Sequence, residues 1–324
     1  MLLKDSGEFP DVVVPASVAN LGGGFDTLAV AVQLFLRVRI VDVREDGRTM
    51  LTVVRSTPAV RGRNAVERAF EALARRTGRK APSVSVEVES DIPMAAGLGS
   101  SAAAAVAGLR VFEGVAEGPG VPEGVLLAVA ASLEGHADNA AAALHGGLTS
   151  VVEREGRDPV ALGWRWPEEL RLVVATPAAG LATATARAAL PEAVPRPDAV
   201  FNIQRVLSLV HALEARDYGR LREAVQDRLH QSARSALVPQ LASVLALEDP
   251  EILGAFLSGA GPSVALIARR DFTRLEQLVK SVYDRAGCAV TVRTLGVHQG
   301  VDSVREKVAA AGPAPGRGAW GKTI

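Results

Sequence analysis

Residues 92–105, with the sequence IPMAAGLGSSAAAA, are the most informative stretch of this chain. Valine alternates with polar residues from 83 to 89, which predicts a half-buried strand, and the alanine run after Ser101 predicts a helix. Between them, Gly97 and Gly99 let backbone N–H groups close around an anion without a Cβ in the way. The helix start adds unpaired N–H groups, and serine hydroxyls can reach a phosphate or its metal. The stretch therefore predicts a site for the phosphates of a nucleotide.

Two better-known nucleotide-binding patterns fit this stretch poorly. Residues 97–102 match the dinucleotide fingerprint G-x-G-x-x-A, but the strand that enters that motif is buried on both faces, whereas residues 83–89 alternate. The acidic residue expected about 20 positions later, Glu117, falls in a Gly/Pro-rich loop. A Walker A loop needs a lysine after the glycines, and none follows. A purely structural turn that leads into a tightly packed helix stays open at this point.

The composition predicts a soluble protein with a substantial core. Of 324 residues, 48% are hydrophobic but only 4% aromatic, so Ala, Val and Leu must fill the interior. Lys+Arg and Asp+Glu are equal at 36 each, which argues against nucleic acid or an anionic membrane as a partner. The single cysteine, Cys288, excludes an intramolecular disulfide, and the histidines lack metal-site spacing. No signal peptide or membrane-spanning run is visible, which predicts a cytoplasmic protein.

Hydrophobic patterning predicts both strands and helices, and hence an α+β fold. Strands are expected at 11–14, 36–43, 50–54, 83–89, 147–152, 171–176, 255–258, 263–268 and 289–295. Helices are expected at 64–77, 101–112, 125–133, 138–144, 199–214, 220–230 and 272–285. The segment between 152 and 171 is expected to be a loop of mixed charge that holds the domain boundary, and the tail from Gly312 to be disordered.

Two further glycine segments stand out. Gly22, Gly23 and Gly24 directly follow the first strand, flanked by Asn20 and Asp26. Ordering three consecutive glycines costs considerable chain entropy, which a plain hairpin would not require, although a surface turn is the alternative. The third segment, residues 256–264, reads FLSGAGPSV, and its ordinary interpretation is a hairpin.

Polar residues cluster at 134–139. Glu134 ends a predicted helix, where the dipole disfavours a carboxylate by up to ~1 kcal/mol. A magnesium ion bound to nucleotide phosphates would offset that cost, although a solvated glutamate is the ordinary interpretation. His136, Asp138 and Asn139 follow directly, and helix capping is the alternative role of the last two.

Three segments, in this order, resemble the motifs of the GHMP kinase superfamily: PASVANLGGGFD at 15–26, IPMAAGLGSSAA at 92–103 and LSGAGPS at 257–263. Within it the chain is most similar to the homoserine kinase branch, through SLEGHADNAAAALHGG at 132–147, TARAALP at 185–191 and DRLHQSAR at 227–234. The resemblance extends from about Val12 to Thr294. Its departures, at Gly23, Ala95-Ala96, Ala140 and Ser232-Ala233, remove no polar site residue.

The resemblance implies a two-domain α+β fold that binds ATP in the cleft between the domains. A ribosomal protein S5 domain 2-like domain at 1–155, a ferredoxin-like α+β domain at 156–305 and a flexible tail at 306–324 are expected. Asn64 is expected near the adenine, and the second motif around the phosphates. The motif residues are Pro93, Met94, Ala95, Ala96, Gly97, Leu98, Gly99, Ser100, Ser101, Ala102 and Ala103. Glu134, with Ser100 or Ser101, is expected to hold Mg²⁺.

The resemblance also implies phosphorylation of L-homoserine, a step in threonine biosynthesis, and the substrate's chemistry suggests its partners. Arg187 and Arg234 suit its carboxylate, and Asp26 and Asp138 suit its ammonium. Asn20 is expected to orient its hydroxyl, and His136, Asn139 and Thr183 to line the pocket. Asn20, Glu134 and Arg187 are the expected catalytic residues; no general base is identified, so direct in-line attack on the γ-phosphate is expected.

Three alternatives stay open at the level of sequence: another small-molecule kinase of the superfamily, a catalytically inactive ligand sensor with the same fold, and a purely structural α+β protein. Intact glycines and Glu134 argue against the sensor. The structural protein leaves three glycine segments unexplained. A homodimer is also left open.

Overall fold

The computed structural model describes residues 9–60 and 62–300 and arranges their strands in two sheets, one of six strands and one of four. This confirms the predicted two-domain α+β fold. The predicted tail at 306–324 lies outside the described residues. No helix in the described ranges is both long and apolar enough to cross a membrane.

The first sheet is built around one long strand. That strand, β2 (Leu28–Arg44), pairs antiparallel with β1 (Val12–Ala19) and with β4 (Ser83–Ser90). Strand β3 (Leu51–Thr57) runs parallel to β4 at one edge. On the other side lie β5 (Leu148–Arg154) and the edge strand β6 (Arg157–Trp164), giving the order β3-β4-β2-β5-β6.

Four helices pack against this sheet: α1 (Ala65–Thr77), α2 (Ser100–Val115), α3 (Glu123–Glu134) and α4 (Asp138–His145). Helix α1 has the predicted capping box, formed by Asn64 and Glu67. Helix α2 is buried along most of its length, since its alanines allow its neighbours to approach closely. This burial holds its N-terminus, where the glycines lie, at a fixed place on the sheet.

The second sheet contains β7 (Arg171–Pro177), β8 (Ile252–Leu257), β9 (Val264–Ala268) and β10 (Val290–Leu295). Its order is β10-β7-β9-β8, and every pairing is antiparallel. Between β7 and β8 lie α5 (Thr183–Ala188), α6 (Arg196–Ala215), α7 (Leu221–Ala224), α8 (Gln231–Arg234) and α9 (Leu241–Leu245), and α10 (Phe272–Arg285) precedes β10. With α6 and α10 as the two long helices, this is the β-α-β-β-α-β order of a ferredoxin-like domain.

One expected loop is instead a strand. Residues 157–164 form β6, although none of them is fully buried and Pro159 lies among them. As an edge strand whose side chains are at most partly buried, β6 has no alternating pattern, and an edge tolerates proline. The first sheet therefore extends to Trp164, and position 155, the expected boundary, lies in the turn between β5 and β6.

Other predictions need shorter corrections. The helix expected at 220–230 is wrong beyond Ala224, because the Asp227 carboxylate accepts hydrogen bonds from the backbone N–H groups of residues 229–231 and turns the chain. Helix α5 has only six residues, too few to show a period, and was not predicted. Strand β2 starts at Leu28, well before 36, since its first residues are continuously buried.

Candidate active site

Helix α2 starts directly after the central glycine loop, which we define as residues 93–99. Its N-cap residue Gly99 has a left-handed φ of 69°, and no side chain caps the helix. A Cβ at Gly99 would lie 2.1 Å from Ser17 Oγ. Glycine is therefore needed for the backbone conformation and for the close approach of β1. The uncapped N–H groups of the first turn are available to an anion.

The C-terminal glycine turn (residues 258–263) contacts the other two glycine segments. Ser258 Oγ donates to Gly97 O at 2.6 Å. Asn20 Nδ2 donates to Gly259 O at 2.9 Å. The three segments that the sequence singled out thus meet in space, and the turn is more than a plain hairpin.

Glu134 reaches the first turn of α2 from the end of α3. Ser101 Oγ donates to Glu134 Oε1 at 2.6 Å, and both residues line the same cleft as Ser100. Hydroxyl and carboxylate oxygens are ligands that Mg²⁺ prefers. The convergence of these two oxygens beside an uncapped helix start fits a magnesium ion, and it favours Ser101 over Ser100 as its partner.

A bidentate ion pair joins the N-terminal glycine loop (residues 20–26) to α5. Arg187 Nη1 and Nη2 donate to the two carboxylate oxygens of Asp26 at 2.9 and 2.7 Å. The Asp26 N–H in turn donates to Asn20 Oδ1 at 3.1 Å. From the sequence, Arg187 was predicted to bind the substrate carboxylate and Asp26 its ammonium. In the structure these two side chains form an ion pair with each other.

Phe25 links the two predicted arginines. Its ring centroid lies 5.7 Å from Cζ of Arg187 and 5.3 Å from Cζ of Arg234. The ring also stacks on His230, with centroids 5.1 Å apart. Both guanidinium groups are therefore held against the same aromatic ring, in the distance range of cation–π contacts.

Arg234 is a buried cation, only 2% exposed. Its Nε donates to Ala186 O at 3.1 Å and its Nη1 to Gly259 O at 3.2 Å. Burial lowers the pKa of Arg234 and the charge of Arg187 lowers it further, while Asp26 and a second aspartate act in the opposite direction. No carboxylate among residues 9–60 and 62–300 forms a salt bridge with Arg234, so an anionic ligand would compensate its charge.

Asp138, at the start of α4, is 1% exposed and accepts hydrogen bonds from His136 Nδ1 and from the Asn139 N–H. Burial alone would lower the pKa of His136, but the hydrogen bond to Asp138 and the charges of Asp138 and Asp26 outweigh it, so the pKa is raised. Ligand atoms of Asp26, His136 and Asp138 all lie within 4.8 Å of one another. This group could bind a cation, and Arg187 already supplies positive charge to it through its ion pair with Asp26.

Ser17 connects this polar group to the central glycine loop. From β1, its Oγ donates to Asn139 Oδ1 at 2.7 Å, and its N–H donates to Leu98 O at 3.2 Å. Sequence reasoning missed Ser17, although it is a polar residue within an otherwise apolar strand. Its two bonds fix the distance between Asn139 and the loop.

One cleft brings together most of the predicted site residues. Those that line it are Asn20, Asp26, Ala95, Ala96, Gly97, Leu98, Gly99, Ser100, Ser101, Ala102, Glu134, His136, Asp138, Asn139, Thr183, Arg187 and Arg234.

Four residues predicted to bind ATP do not line this cleft. The Asn64 side chain caps α1 by accepting from the Val66 N–H at 3.1 Å. Pro93 and Met94 line a neighbouring cavity. Ala103 is fully buried within α2. Contact between these four residues and ATP stays a prediction.

Phe25, Asp227 and His230 were also missed as site residues. Phe25 is one of the few aromatic residues of the chain and directly follows three glycines, which is a usable signal. Asp227 and His230 belong to DRLHQSAR, a segment in which Arg234 was the one residue predicted to bind substrate. The contacts of His230 with Gly22 and with Phe25 join residues distant in sequence, which no local pattern shows.

Comparison with known proteins agrees with this geometry. The family models "GHMP kinases N terminal domain" and "GHMP kinases C terminal" match residues 64–147 and 209–286. A homoserine kinase of Solibacter usitatus is 35% identical over 281 residues, covering 85% of this chain and 90% of that protein. A homoserine kinase of Thermus thermophilus is 38% identical over 264 residues, covering 81% and 88%. The crystal structure of a homoserine kinase from Cytophaga hutchinsonii superposes with a TM-score of 0.76 at 25% identity, covering 93% and 98%.

Proposed function

This chain belongs to the GHMP kinases, and we propose that it transfers the γ-phosphate of ATP to the hydroxyl of L-homoserine, yielding O-phospho-L-homoserine and ADP. One observation carries the proposal beyond the family. A single cleft holds an anion-binding loop together with two arginines and two aspartates, which are the partners a zwitterionic alcohol requires.

The triphosphate of ATP would lie on the central glycine loop and the first turn of α2. The N–H groups there are uncapped, and the left-handed glycines leave no Cβ between them and a phosphate oxygen. Ser101 and Glu134 would hold Mg²⁺, because their oxygens already converge at this point. The ion supplies charge neutralisation to the phosphates when it is bound.

The substrate would bind at the other charged groups of the cleft. Its carboxylate suits Arg234, a buried cation without a carboxylate salt bridge among the described residues, and Arg187 beside it. Its ammonium suits Asp26 and Asp138. Asp26 and Arg187 neutralise each other in this structure, and exchanging that ion pair for one pair with each end of a zwitterion would leave neither of these two charges unpaired.

The transfer would proceed by direct in-line attack. The substrate hydroxyl oxygen bonds to the γ-phosphorus while the bond from that phosphorus to the β,γ-bridging oxygen breaks, and ADP leaves with the electron pair. The hydroxyl proton is lost late, to an oxygen of the transferred phosphoryl group or to water, because the transition state is loose and needs little nucleophile activation. Asn20, whose side chain joins Gly259 to Asp26, would orient the hydroxyl, and fixed charges would supply most of the stabilisation.

ADP release from ATP and Mg²⁺ in the presence of a panel of alcohols tests this proposal. L-homoserine should exceed mevalonate, galactose and shikimate in kcat/KM by about 10²-fold or more, since a polar pocket rejects ligands that leave its charges unpaired. 4-Hydroxybutyrate, which lacks the ammonium, should be similarly poor. Comparable rates with another alcohol would move the assignment to a different kinase of the family, and no ADP release with any of them would favour a ligand sensor.

A further inference from the structure

His230 is the most completely buried histidine near the cleft, and both of its ring nitrogens are used. It is 0% exposed, and Nε2 lies 2.9 Å from Gly22 O. Because a carbonyl oxygen only accepts, Nε2 carries the proton. Nδ1 then has a lone pair, and it accepts from Arg234 Nη1 at 3.2 Å.

This arrangement requires a neutral ring. A protonated ring would direct an N–H at the guanidinium and place a further positive charge beside Arg234. Burial lowers the pKa of His230 and the charge of Arg234 acts in the same direction, while Asp227, the Gly22 carbonyl and Asp26 oppose them. The net direction favours the neutral form that the hydrogen bonds demand.

The His230 backbone is anchored independently of its ring. The Asp227 side chain, 0% exposed, accepts from the N–H groups of His230 and Gln231 at 2.9 and 2.8 Å. Asn202 Nδ2 donates to Asp227 at 2.7 Å and to Gly23 O at 3.0 Å. These bonds hold the His230 backbone in place, so its ring can contact both the N-terminal glycine loop and Arg234.

The loop that receives the Nε2 bond is closely packed at Gly22. A Cβ at Gly22 would lie 1.9 Å from Val225 O, so the loop rests directly on the segment that follows α7. The same loop carries Asn20, Phe25 and Asp26 into the cleft. A ring that bonds Gly22 and Arg234 at once thus connects two walls of the substrate pocket.

We propose that His230 is a positioning residue for substrate recognition: as donor at Nε2 and acceptor at Nδ1, it joins the N-terminal glycine loop to Arg234 and sets the direction in which that guanidinium meets the substrate carboxylate. The inference rests on the proposed function, because it takes the carboxylate of the substrate as the partner of Arg234.

Two amide variants separate the two ring contacts. In His230→Gln the amide nitrogen can occupy the place of Nε2, which keeps the donor to Gly22 and removes the acceptor for Arg234. In His230→Asn the amide oxygen can occupy the place of Nδ1, which keeps the acceptor and removes the donor. His211, exposed on α6, offers the matched controls His211→Gln and His211→Asn.

The measurement is the preference for L-homoserine over 3-amino-1-propanol, the same alcohol without its carboxylate. His230→Gln should raise the KM for homoserine by about 10-fold or more and reduce the preference by the same factor, with the KM for ATP unchanged. His230→Asn should reduce the preference much less, and the His211 controls should not reduce it. A structural role alone would lower both activities together and leave the ratio intact. A folded His230→Gln with wild-type preference, or an equal loss in both variants, overturns the proposal.

The tautomer gives a second, activity-independent readout. The ¹⁵N spectrum of histidine-labelled protein, with His230 identified by its absence in His230→Asn, should show a neutral ring protonated at Nε2 across neutral pH. A ring protonated at Nδ1 would overturn the positioning role even if His230→Gln does not fold. A wild-type protein that does not phosphorylate homoserine would refute the proposed function instead, and the tautomer would still test the contact with Arg234.

Discussion

Replacing Gly99 by alanine should distort the central glycine loop and weaken ATP binding. Gly99 has a φ of 69°, a conformation that costs a residue with a Cβ about 1–2 kcal/mol. The new Cβ would lie 2.1 Å from Ser17 Oγ and 3.0 Å from Asn139 Oδ1, which donate and accept one buried hydrogen bond. Breaking that bond and leaving its partners unsatisfied costs about 1–3 kcal/mol more.

The free energy of unfolding should therefore fall by about 2–5 kcal/mol in Gly99→Ala. Gly78→Ala is the matched control, because Gly78 has a φ of 66° and no heavy atom lies within 4 Å of the place that its new Cβ would occupy. The free energy of unfolding of that control should fall by about 1–2 kcal/mol, the cost of placing alanine in a left-handed backbone conformation. Urea denaturation of both variants, read by circular dichroism, gives the difference.

Binding of a non-hydrolysable ATP analogue completes this test. In Gly99→Ala, loss of one N–H hydrogen bond to a phosphate should lower the affinity for the analogue by about 10-fold or more, as measured by calorimetry. Gly78→Ala should bind the analogue as the wild type does. If Gly99→Ala is no less stable than Gly78→Ala and binds the analogue normally, the argued contact between the loop, Ser17 and the phosphates is wrong.

Three further predictions concern the cleft. Glu134→Gln should reduce kcat by about 10²-fold or more with an unchanged melting temperature, since its carboxylate is assigned to the metal; near-normal turnover would refute that role. Ser101→Ala should raise the Mg²⁺ concentration needed for half-maximal rate more than Ser100→Ala does, because Ser101 rather than Ser100 bonds Glu134; the reverse order in a magnesium titration would contradict the assignment. The pKa of His136 is raised in the folded protein, so its stabilising interaction with Asp138 is fully present below the ordinary value of 6.5 and is lost as the pH rises through the higher folded value. The difference in free energy of unfolding between the wild type and His136→Gln, measured by urea denaturation, should accordingly shrink with rising pH. A difference that grows with pH would show that folding lowers the pKa of His136 instead.

The central glycine loop could be predicted from the sequence because its chemistry is local. Gly97, Gly99 and Ser101 follow a strand and start a helix within a few residues, so the backbone requirement and the ligand type can be inferred together. Similarly, Asn64 and Glu67 form the capping box that their spacing predicts.

The pairing of charges in the cleft could not be predicted. Asp26 and Arg187 are 161 positions apart, and their bidentate contact depends on how the two sheets bring the N-terminal glycine loop to α5. Ser17 and Asn139, 122 positions apart, are a similar case. The residue types in the sequence indicate which charged groups a zwitterion needs. The fold is needed to show that Asp26 and Arg187 already form an ion pair with each other.

The sequence prediction missed secondary structure where contacts with other parts of the chain, rather than a periodic hydrophobic pattern, determine the local conformation. Strand β6 pairs with β5, and its side chains are at most partly buried, so its sequence resembles a loop. The turn at Asp227 interrupts an apparent helix because one buried carboxylate accepts three consecutive backbone N–H bonds. Neither effect leaves a periodic signal in the sequence.

The most direct test of the account is a crystal structure of the protein with a non-hydrolysable ATP analogue, Mg²⁺ and L-homoserine. The account predicts the triphosphate on residues 97–101, the metal in contact with Ser101 and Glu134, and the homoserine carboxylate at Arg234. A nucleotide bound elsewhere, or a metal that does not contact Glu134, would contradict it.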